Sequence, residues 1–379
     1  MILLAAGGTG GHLYPALAVA EALGDLAPEI PVHVVGTADH LEARVVPQFG
    51  LPFHAVPAAP FPRRPDVRAL RFLRDFPRGL VASRRLMAQL KPRVVAGFGA
   101  YLTVAPLLAA ARSGIPLVLH EANASPGMAN RLLARWASTI LVSHAEATGH
   151  FAPRRTIVTG TPLRSAFVPA ATPEGRDAAR RRLGLQADER LLVVTGGSLG
   201  ARLLNEATLR HRESWLVRPD WRLVHLTGPA QFEEVRASLS GAIPHRDWAG
   251  GPAWQDASGR ILLAPYCDAM ADLLAASDLV ISRSGATTVA ELTVLGRPAV
   301  LVPLALNPDQ AANAMTMARA GGAVILTQEA VAAELGETVA RLLDDEPRRL
   351  AMGHGAMTIG YPDAARTVAH HLLASGAPA

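Results

Sequence analysis

Short β-prone runs alternate along the chain with longer stretches whose apolar positions recur at helical spacing. Ile2–Ala6, Val32–Val35, Val94–Ala96, Leu117–Leu119 and Thr139–Val142 read as strands. After Thr156–Gly160 the pattern restarts with Leu191–Thr195, Arg222–Leu226, Ile261–Ala264, Leu279–Ser282 and Ala299–Val302. Strands separated by helices build parallel sheets covered on their faces. The pattern therefore predicts an α/β chain of two doubly wound, Rossmann-like domains. The boundary falls near Pro162–Pro173 and divides residues 1–163 from residues 164–379. Apolar positions between Leu350 and Leu373 predict terminal helices, and their crossing back to the first domain is left open by the sequence.

The two halves echo each other. In Leu3–His12 and again in Leu191–Ala201 a glycine-rich turn follows an apolar strand directly. Ligands of doubly wound sheets collect at the carboxyl ends of strands. Two facing domains would bring both loops to one cleft.

Composition narrows the setting. A chain of 379 residues, 50% hydrophobic, is long for a single core and fits two domains. Its 37 basic residues outnumber 32 acidic ones only modestly, and Lys91 is the one lysine, so the positive charge is carried by arginine. That balance gives no argument for a nucleic-acid partner. Cys267 stands alone, which excludes an intrachain disulfide and a multi-cysteine metal site and fits a reducing compartment. Met1–Ala6 lacks a basic leader and runs straight into glycines, as a first strand does and a signal peptide does not. The longest apolar stretch, Ala100–Ala111, is interrupted by Pro106 and falls short of the ~20 residues that span a bilayer, so any membrane contact is expected to be peripheral.

Gly7-Gly-Thr-Gly-Gly-His12 has almost no side chains to keep an anion from its backbone N–H groups, and the following helix adds a positive dipole end. Such a loop can cradle a diphosphate, or it can be a plain tight turn. A dinucleotide site fits less well: Leu13 stands where the third glycine belongs, and Val32–Val35 ends in Gly36-Thr37 with no ribose-binding carboxylate. Thr195–Ala201 offers the Ser198 hydroxyl and free amides at a helix start. Asp278–Glu291 reads as strand, small-residue loop and helix, and spacings of four and three put Glu291 on the faces of Thr287 and Thr288. That carboxylate can accept from two vicinal ribose hydroxyls, or it can serve only the electrostatics of the helix start. His120-Glu-Ala-Asn123 is not a zinc-protease motif, because Ala124 holds the place of the second histidine, and no Asp-x-Asp pair occurs. No metal site is expected, so charge on a departing diphosphate falls to amides and arginine.

Seven segments in chain order carry a closer likeness: Gly7–Ala16, Gly97–Tyr101, His120–Asn123 with Asn130-Arg131, Thr159–Arg164, Gly196–Ala201, Arg283–Glu291, and Asp309-Gln310 with Asn313. Together they resemble glycosyltransferase family 28, the enzymes that add N-acetylglucosamine to the lipid-linked muramyl-pentapeptide of peptidoglycan synthesis. The resemblance runs from about Met1 to about Thr327. It implies a GT-B fold with the two domains facing across a cleft, UDP-N-acetylglucosamine as donor, undecaprenyl-linked lipid I as acceptor, and no cofactor. Carried over position by position, it implies donor contacts at Thr9, Gly10, Gly11, Asn123, Arg164, Ser198, Cys267, Ala286, Thr287, Thr288, Val289, Ala290, Glu291 and Gln310, and acceptor contacts at Tyr101, Glu121 and Asn130. Cys267 would act through its backbone. Leu199, Ala122 and Thr161 replace the glutamine, glutamine and asparagine usual in the family, which leaves the donor sugar slightly open.

The same resemblance implies an inverting transfer in which the muramyl 4-hydroxyl attacks the anomeric carbon opposite UDP. His12 is the leading base, since imidazole titrates near neutrality; the alternative is that it only hydrogen-bonds the diphosphate. Phe61–Arg85 mixes arginines, among them Arg68, Arg71 and Arg74, with Phe72, Phe76 and leucines. That pattern suits the anionic inner membrane surface on the cytoplasmic side, and an ordinary amphipathic helix with a solvated basic face would also produce it. Two rivals remain: another GT-B transferase, against which the His120–Asn123 segment argues, and a nucleotide-sugar sensor without turnover.

Overall fold

The computed structural model describes residues 1–62, 67–239, 241–245, 248 and 250–376, with residues 67–69 described by backbone alone. The chain forms two compact units, Met1–Ser165 joined by the C-terminal stretch from Asp363, and Ala166–Pro362. Arg164 and the last helix, Ala364–Ser375, therefore group with the first unit.

Seven parallel strands make the sheet of the first unit: β1 (Ile2–Ala5), β2 (Val32–Gly36), β3 (Phe53–Ala55), β4 (Val94–Gly97), β5 (Leu117–Glu121), β6 (Thr139–Val142) and β7 (Thr156–Val158). Their order is β3-β2-β1-β4-β5-β6-β7, so the direction of winding reverses between β1 and β4. β1, β4 and β5 are buried at every position. Strands covered on both faces read as continuous apolar runs, which is why these were legible. Leu4, Leu17, Val34, Val368 and Leu372 share one core, so the last helix completes one face of this sheet. Leu3, Met87, Val95, Leu107 and Leu119 fill the other.

The second unit holds eight strands: β8 (Arg190–Thr195), β9 (Trp221–Leu226), β10 (Ile243–His245), β11 (Ala253–Gln255), β12 (Ile261–Ala264), β13 (Leu279–Ser282), β14 (Ala299–Leu301) and β15 (Ala323–Ile325). The order β10-β11-β12-β9-β8-β13-β14-β15 reverses between β8 and β13, and the β10-β11-β12 edge is antiparallel. Trp215, Trp221, Ile281 and Val300 centre its core. The buried Trp215 indole donates to the Gly336 carbonyl at 3.1 Å.

All ten predicted strands are present, with ends shifted by at most two residues. β3, β7, β10, β11 and β15 were not predicted, because three residues complete no periodicity. One shifted end matters chemically: β5 runs on to Glu121, so His120 and Glu121 are buried strand residues and not loop residues.

Candidate active site

The first half-site lies at the reversal of the first sheet, between the loops that follow β1 and β4. Gly7 and Gly8 take positive φ values of 148° and 80°, and Thr9 caps the helix Gly10–Leu26 in an extended conformation. Thr9, Gly10 and Gly11 thus present the first amides of a helix, a ready seat for an anion. His12 sits in the first turn, half-buried, with Nδ1 2.9 Å from the Phe98 carbonyl. A carbonyl only accepts, so Nδ1 carries the proton in this bond and Nε2 carries the lone pair. The loop after β4 is shaped to allow it. Gly99 has φ of 91°, and a Cβ there would stand 3.0 Å from His12 Nδ1. Ala100, with φ of 65°, stores strain on the same turn. Tyr101 follows, its hydroxyl 3.0 Å from His40 Nε2, and burial, then the charges of Glu42 and Asp39, raise its pKa.

Glu42 is the group that the sequence reading missed. It is wholly buried on the helix Leu41–Gln48 and reaches back beneath the glycine loop. One oxygen accepts from the Gly8 N–H at 2.9 Å, the other from the Thr37 N–H at 2.9 Å and its hydroxyl at 2.6 Å. Burial raises the carboxyl pKa, and the bonds from Thr37 and Gly8 outweigh it, holding Glu42 below the usual carboxylate range. The carboxylate also explains Gly7: a Cβ there would lie 2.3 Å from Glu42 Cδ. The available signal was an acid on the apolar face of a short helix six residues past Gly36.

At the end of β5, Glu121 accepts from the Asn123 N–H (2.9 Å) and side chain (3.3 Å), the Gly127 N–H (3.0 Å) and Asn130 Nδ2 (2.9 Å). Its burial raises its pKa despite these donors. Asn130 also donates to the His120 carbonyl at 3.1 Å. Glu121 and Asn130 are each 2% exposed, so as they stand they brace the 122–127 loop and carry Asn123 on it. His120 is enclosed, 3.2 Å from the Gly160 carbonyl, and burial lowers its pKa to about 4, which makes it a neutral ring. Thr161 bonds Ser143 Oγ at 2.8 Å beside it. Arg164 lies over the Tyr14 ring, 5.5 Å from its centroid.

The second half-site occupies the reversal of the second sheet. After β8, Gly197 and Gly200 take φ values of 80° and 76°, and Ser198 is exposed on the turn. A Cβ on Gly200 would lie 2.0 Å from the Thr227 carbonyl, so the 196–201 loop packs backbone to backbone on the turn after β9. Asn205 ties the two by donating to Thr227 O at 3.0 Å while its Oδ1 takes the proton of buried His225 at 2.9 Å. After β13, Ser284 donates to Gln310 O at 2.7 Å and Gln310 Oε1 accepts from Leu304 N at 3.0 Å, fixing the 303–310 turn against the helix Ala286–Val294. Ala286, Val289 and Cys267 are buried at 8%, 1% and 0% exposure, so their side chains are closed to a ligand and only their backbone could meet one. Thr287, Thr288, Ala290 and Glu291 lie on the half-buried side of that helix, and Thr287 Oγ1 is buried with no protein partner.

Apart from both, the helix Val67–Leu90 leaves Leu70 and Leu73 exposed at 68% and 67%, beside Arg71 and Arg74. Phe72 stacks on Phe76 and meets Phe61 edge-on at 5.1 and 5.3 Å. The Arg68 side chain and residues 63–66 lie outside what is described. Among the described residues no helix is long and apolar enough to cross a membrane, and no three His, Cys, Asp or Glu gather as a metal group.

Comparison with known proteins finds similarity along nearly the whole chain. Over 367 residues the chain is 42% identical to the UDP-N-acetylglucosamine--N-acetylmuramyl-(pentapeptide) pyrophosphoryl-undecaprenol N-acetylglucosamine transferase of Desulforudis audaxviator (strain MP104C), covering 96% of this chain and 95% of that protein. The protein of the same name from Bifidobacterium adolescentis is 40% identical, with coverage of 98% and 97%. Among solved structures, Acinetobacter baumannii MurG matches with a TM-score of 0.70 and 28% identity over 98% of this chain and 99% of that one. The glycosyltransferase family 28 N-terminal domain matches residues 2–142 and the family's C-terminal domain matches residues 191–368. With both domains matched in order, the chain belongs to glycosyltransferase family 28.

Proposed function

We propose that this protein transfers N-acetylglucosamine from UDP-N-acetylglucosamine to undecaprenyl-diphospho-muramoyl-pentapeptide, lipid I, giving lipid II for peptidoglycan. The names of the near-full-length relatives state this reaction for those proteins. In this chain the observation that carries the reading is His12 on the glycine loop, whose Nδ1–H donates to the Phe98 carbonyl, which makes Nε2 the ring nitrogen that can take a proton. The acceptor's 4-hydroxyl oxygen forms the new bond to the anomeric carbon and gives its proton to His12 Nε2. The bond to UDP breaks on the opposite face, and the leaving diphosphate takes the electron pair. Its charge is met by the amides of the 196–201 loop and by Arg164, since preorganised donors stabilise charge where it develops. Glu291 holds the ribose, and Thr287, with its unpartnered hydroxyl, adds a bond to the nucleotide. Thr9 to Gly11, Tyr101 and the loop braced by Glu121 and Asn130 serve the diphosphate and acceptor.

The exposed leucines and arginines of the Val67–Leu90 helix support docking on an anionic membrane surface at its cytoplasmic face, where a lipid-linked acceptor is held. The deciding experiment is turnover of UDP-N-acetylglucosamine with a lipid I analogue by the wild type and His12→Ala. A base is worth ~10²–10⁴-fold in turnover and acts in the transition state. His12→Ala is therefore expected to lose turnover on that scale, keep donor affinity, and lose the acidic limb of the pH profile. Loss of donor affinity with the pH profile unchanged would assign His12 to diphosphate binding instead.

A further inference from the structure

The opposite, amino-terminal end of the second sheet holds a cavity of about 210 Å³, walled by Arg176, Arg297, Arg349 and His354 and bordered by Asp278 and Glu346. Asp278 leads into β13 and Arg297-Pro298 into β14, so this pocket lies at the end of β13 opposite the one followed by Ser284. Its charges do not balance. Arg176 and Arg180 share Asp278, at 2.5 and 3.5 Å, and Arg190 bridges Asp220 and Glu346, at 2.5 and 2.8 Å. Arg297 spends its donors on the carbonyls of Leu295, Ser277 and Ala275. Arg349 does the same with Leu342 and Leu343. Of the residues lining the pocket, Arg176, Arg297 and Arg349 face the two carboxylates of Asp278 and Glu346, leaving one positive charge over in a partly enclosed space. Burial, then the nearby Arg176 charge, lowers the Arg297 pKa to about 10, as expected for crowded cations. Arg176 Nε is buried with no partner, a donor without an acceptor at the pocket wall.

We infer that this pocket is a second anion site, distinct from the donor half-site, and that it takes a phosphate dianion, free or as a monoester. Guanidinium groups recognise phosphate by paired, charge-assisted bonds, and the unpartnered Arg176 Nε beside an excess cation suits such an anion. The occupant docks against Arg176 Nε, Arg349 and His354 and ties the helix Glu346–Met357 to the turn before β14.

The test is calorimetric titration of the full protein, saturated with UDP so that the donor half-site is filled, with inorganic phosphate at constant ionic strength. One phosphate per chain is expected. Arg176→Gln should weaken it at least tenfold. Met357→Glu sets a carboxylate at the rim, where Met357 is 56% exposed, and should weaken it similarly while UDP affinity is kept. A parallel arm measures binding to vesicles of phosphatidylcholine with and without phosphatidic acid. Binding sensitive to both variants only on phosphatidic acid would assign the pocket to a lipid headgroup, and in free phosphate to a soluble ligand. No binding of either, or equal binding by wild type and Met357→Glu, overturns the site.

Discussion

Replacing Glu42 tests whether a buried carboxylate holds the first glycine loop. Glu42→Ala leaves the Gly8 N–H, the Thr37 N–H and the Thr37 hydroxyl without their acceptor, the Thr37 donors buried and the Gly8 donor partly so. Hydrogen bonds to a charged group contribute ~1.5–3 kcal/mol each, but these three share one carboxylate and do not add, so the expected cost is about 3–5 kcal/mol. For a unit of this size that lowers the unfolding midpoint by about 10 °C, at roughly 2–4 °C per kcal/mol. Glu42→Gln keeps the volume and one acceptor oxygen and should cost about 1–3 kcal/mol. Because the folded carboxyl titrates below its unfolded value, its contribution is complete above the ordinary carboxylate range and is lost as pH falls through the lowered folded value. The gap between wild type and Glu42→Gln should therefore close on acidification. Turnover should fall in both variants, since the loop held by Glu42 bears His12.

The sharpest readout is a double-mutant cycle with Gly7→Ala, whose Cβ would collide with Glu42 Cδ. In the wild-type background Gly7→Ala meets both that collision and a φ of 148°, and in the Glu42→Ala background only the second remains. Circular dichroism melts of the four proteins give the coupling. A Glu42→Ala midpoint within about 2 °C of wild type, or a Gly7→Ala cost that is the same in both backgrounds, refutes the reasoning.

Glu291→Ala should weaken UDP-N-acetylglucosamine by about ten- to a hundredfold, the equivalent of a ~1.5–3 kcal/mol bond to a charged group, measured by calorimetry; unchanged affinity removes Glu291 from ribose binding. Sedimentation with anionic vesicles should exceed that with neutral ones, weaken with salt, and drop for the Arg71→Gln/Arg74→Gln double variant, whereas equal sedimentation in all cases removes the membrane role of the Val67–Leu90 helix. His120 is neutral in the fold, with a pKa of about 4 against an ordinary 6.5, so the unfolded chain binds more protons between those values and stability should fall by ~3 kcal/mol as pH drops from 6.5 to 4. Denaturant melts of His120→Gln should flatten across that window, and an equal slope would contradict it.

Most of the architecture was legible because strands covered on both faces carry uninterrupted apolar sequence, as Ile2–Ala5 and Leu279–Ser282 do. The reversal points of both sheets were not written in any local run, since strand order follows from which helices cover which face. The glycine loops could be found from composition, yet the reasons for single glycines could not. Gly200 is required by the Thr227 carbonyl and Gly7 by Glu42, and both partners are distant in sequence.

Candidate site residues divide along the same physical line. Groups that meet solvent or ligand, such as Ser198 and Thr288, stand out as polar residues placed after a strand. Groups that hold the site are polar residues buried among apolar ones, and a pattern reading counts them as loop or surface. Glu121 and Asn130 were read as acceptor contacts from their motif, and in the fold they form a closed network with His120 and the 122–127 loop. Glu42 was not read at all, because an acid on a short helix is usually a solvated face. A buried carboxylate is tolerated only when its oxygens are saturated by donors, so its presence marks a loop whose shape is over-determined. Glu42 accepts directly from an amide of the first glycine loop, whereas Asn205 with His225 holds the Thr227 carbonyl, the backbone on which Gly200 of the second loop packs. In the first unit the Gly8 amide is thus held by a buried side chain from another helix, so the shape of the glycine loop is set by a partner far along the chain.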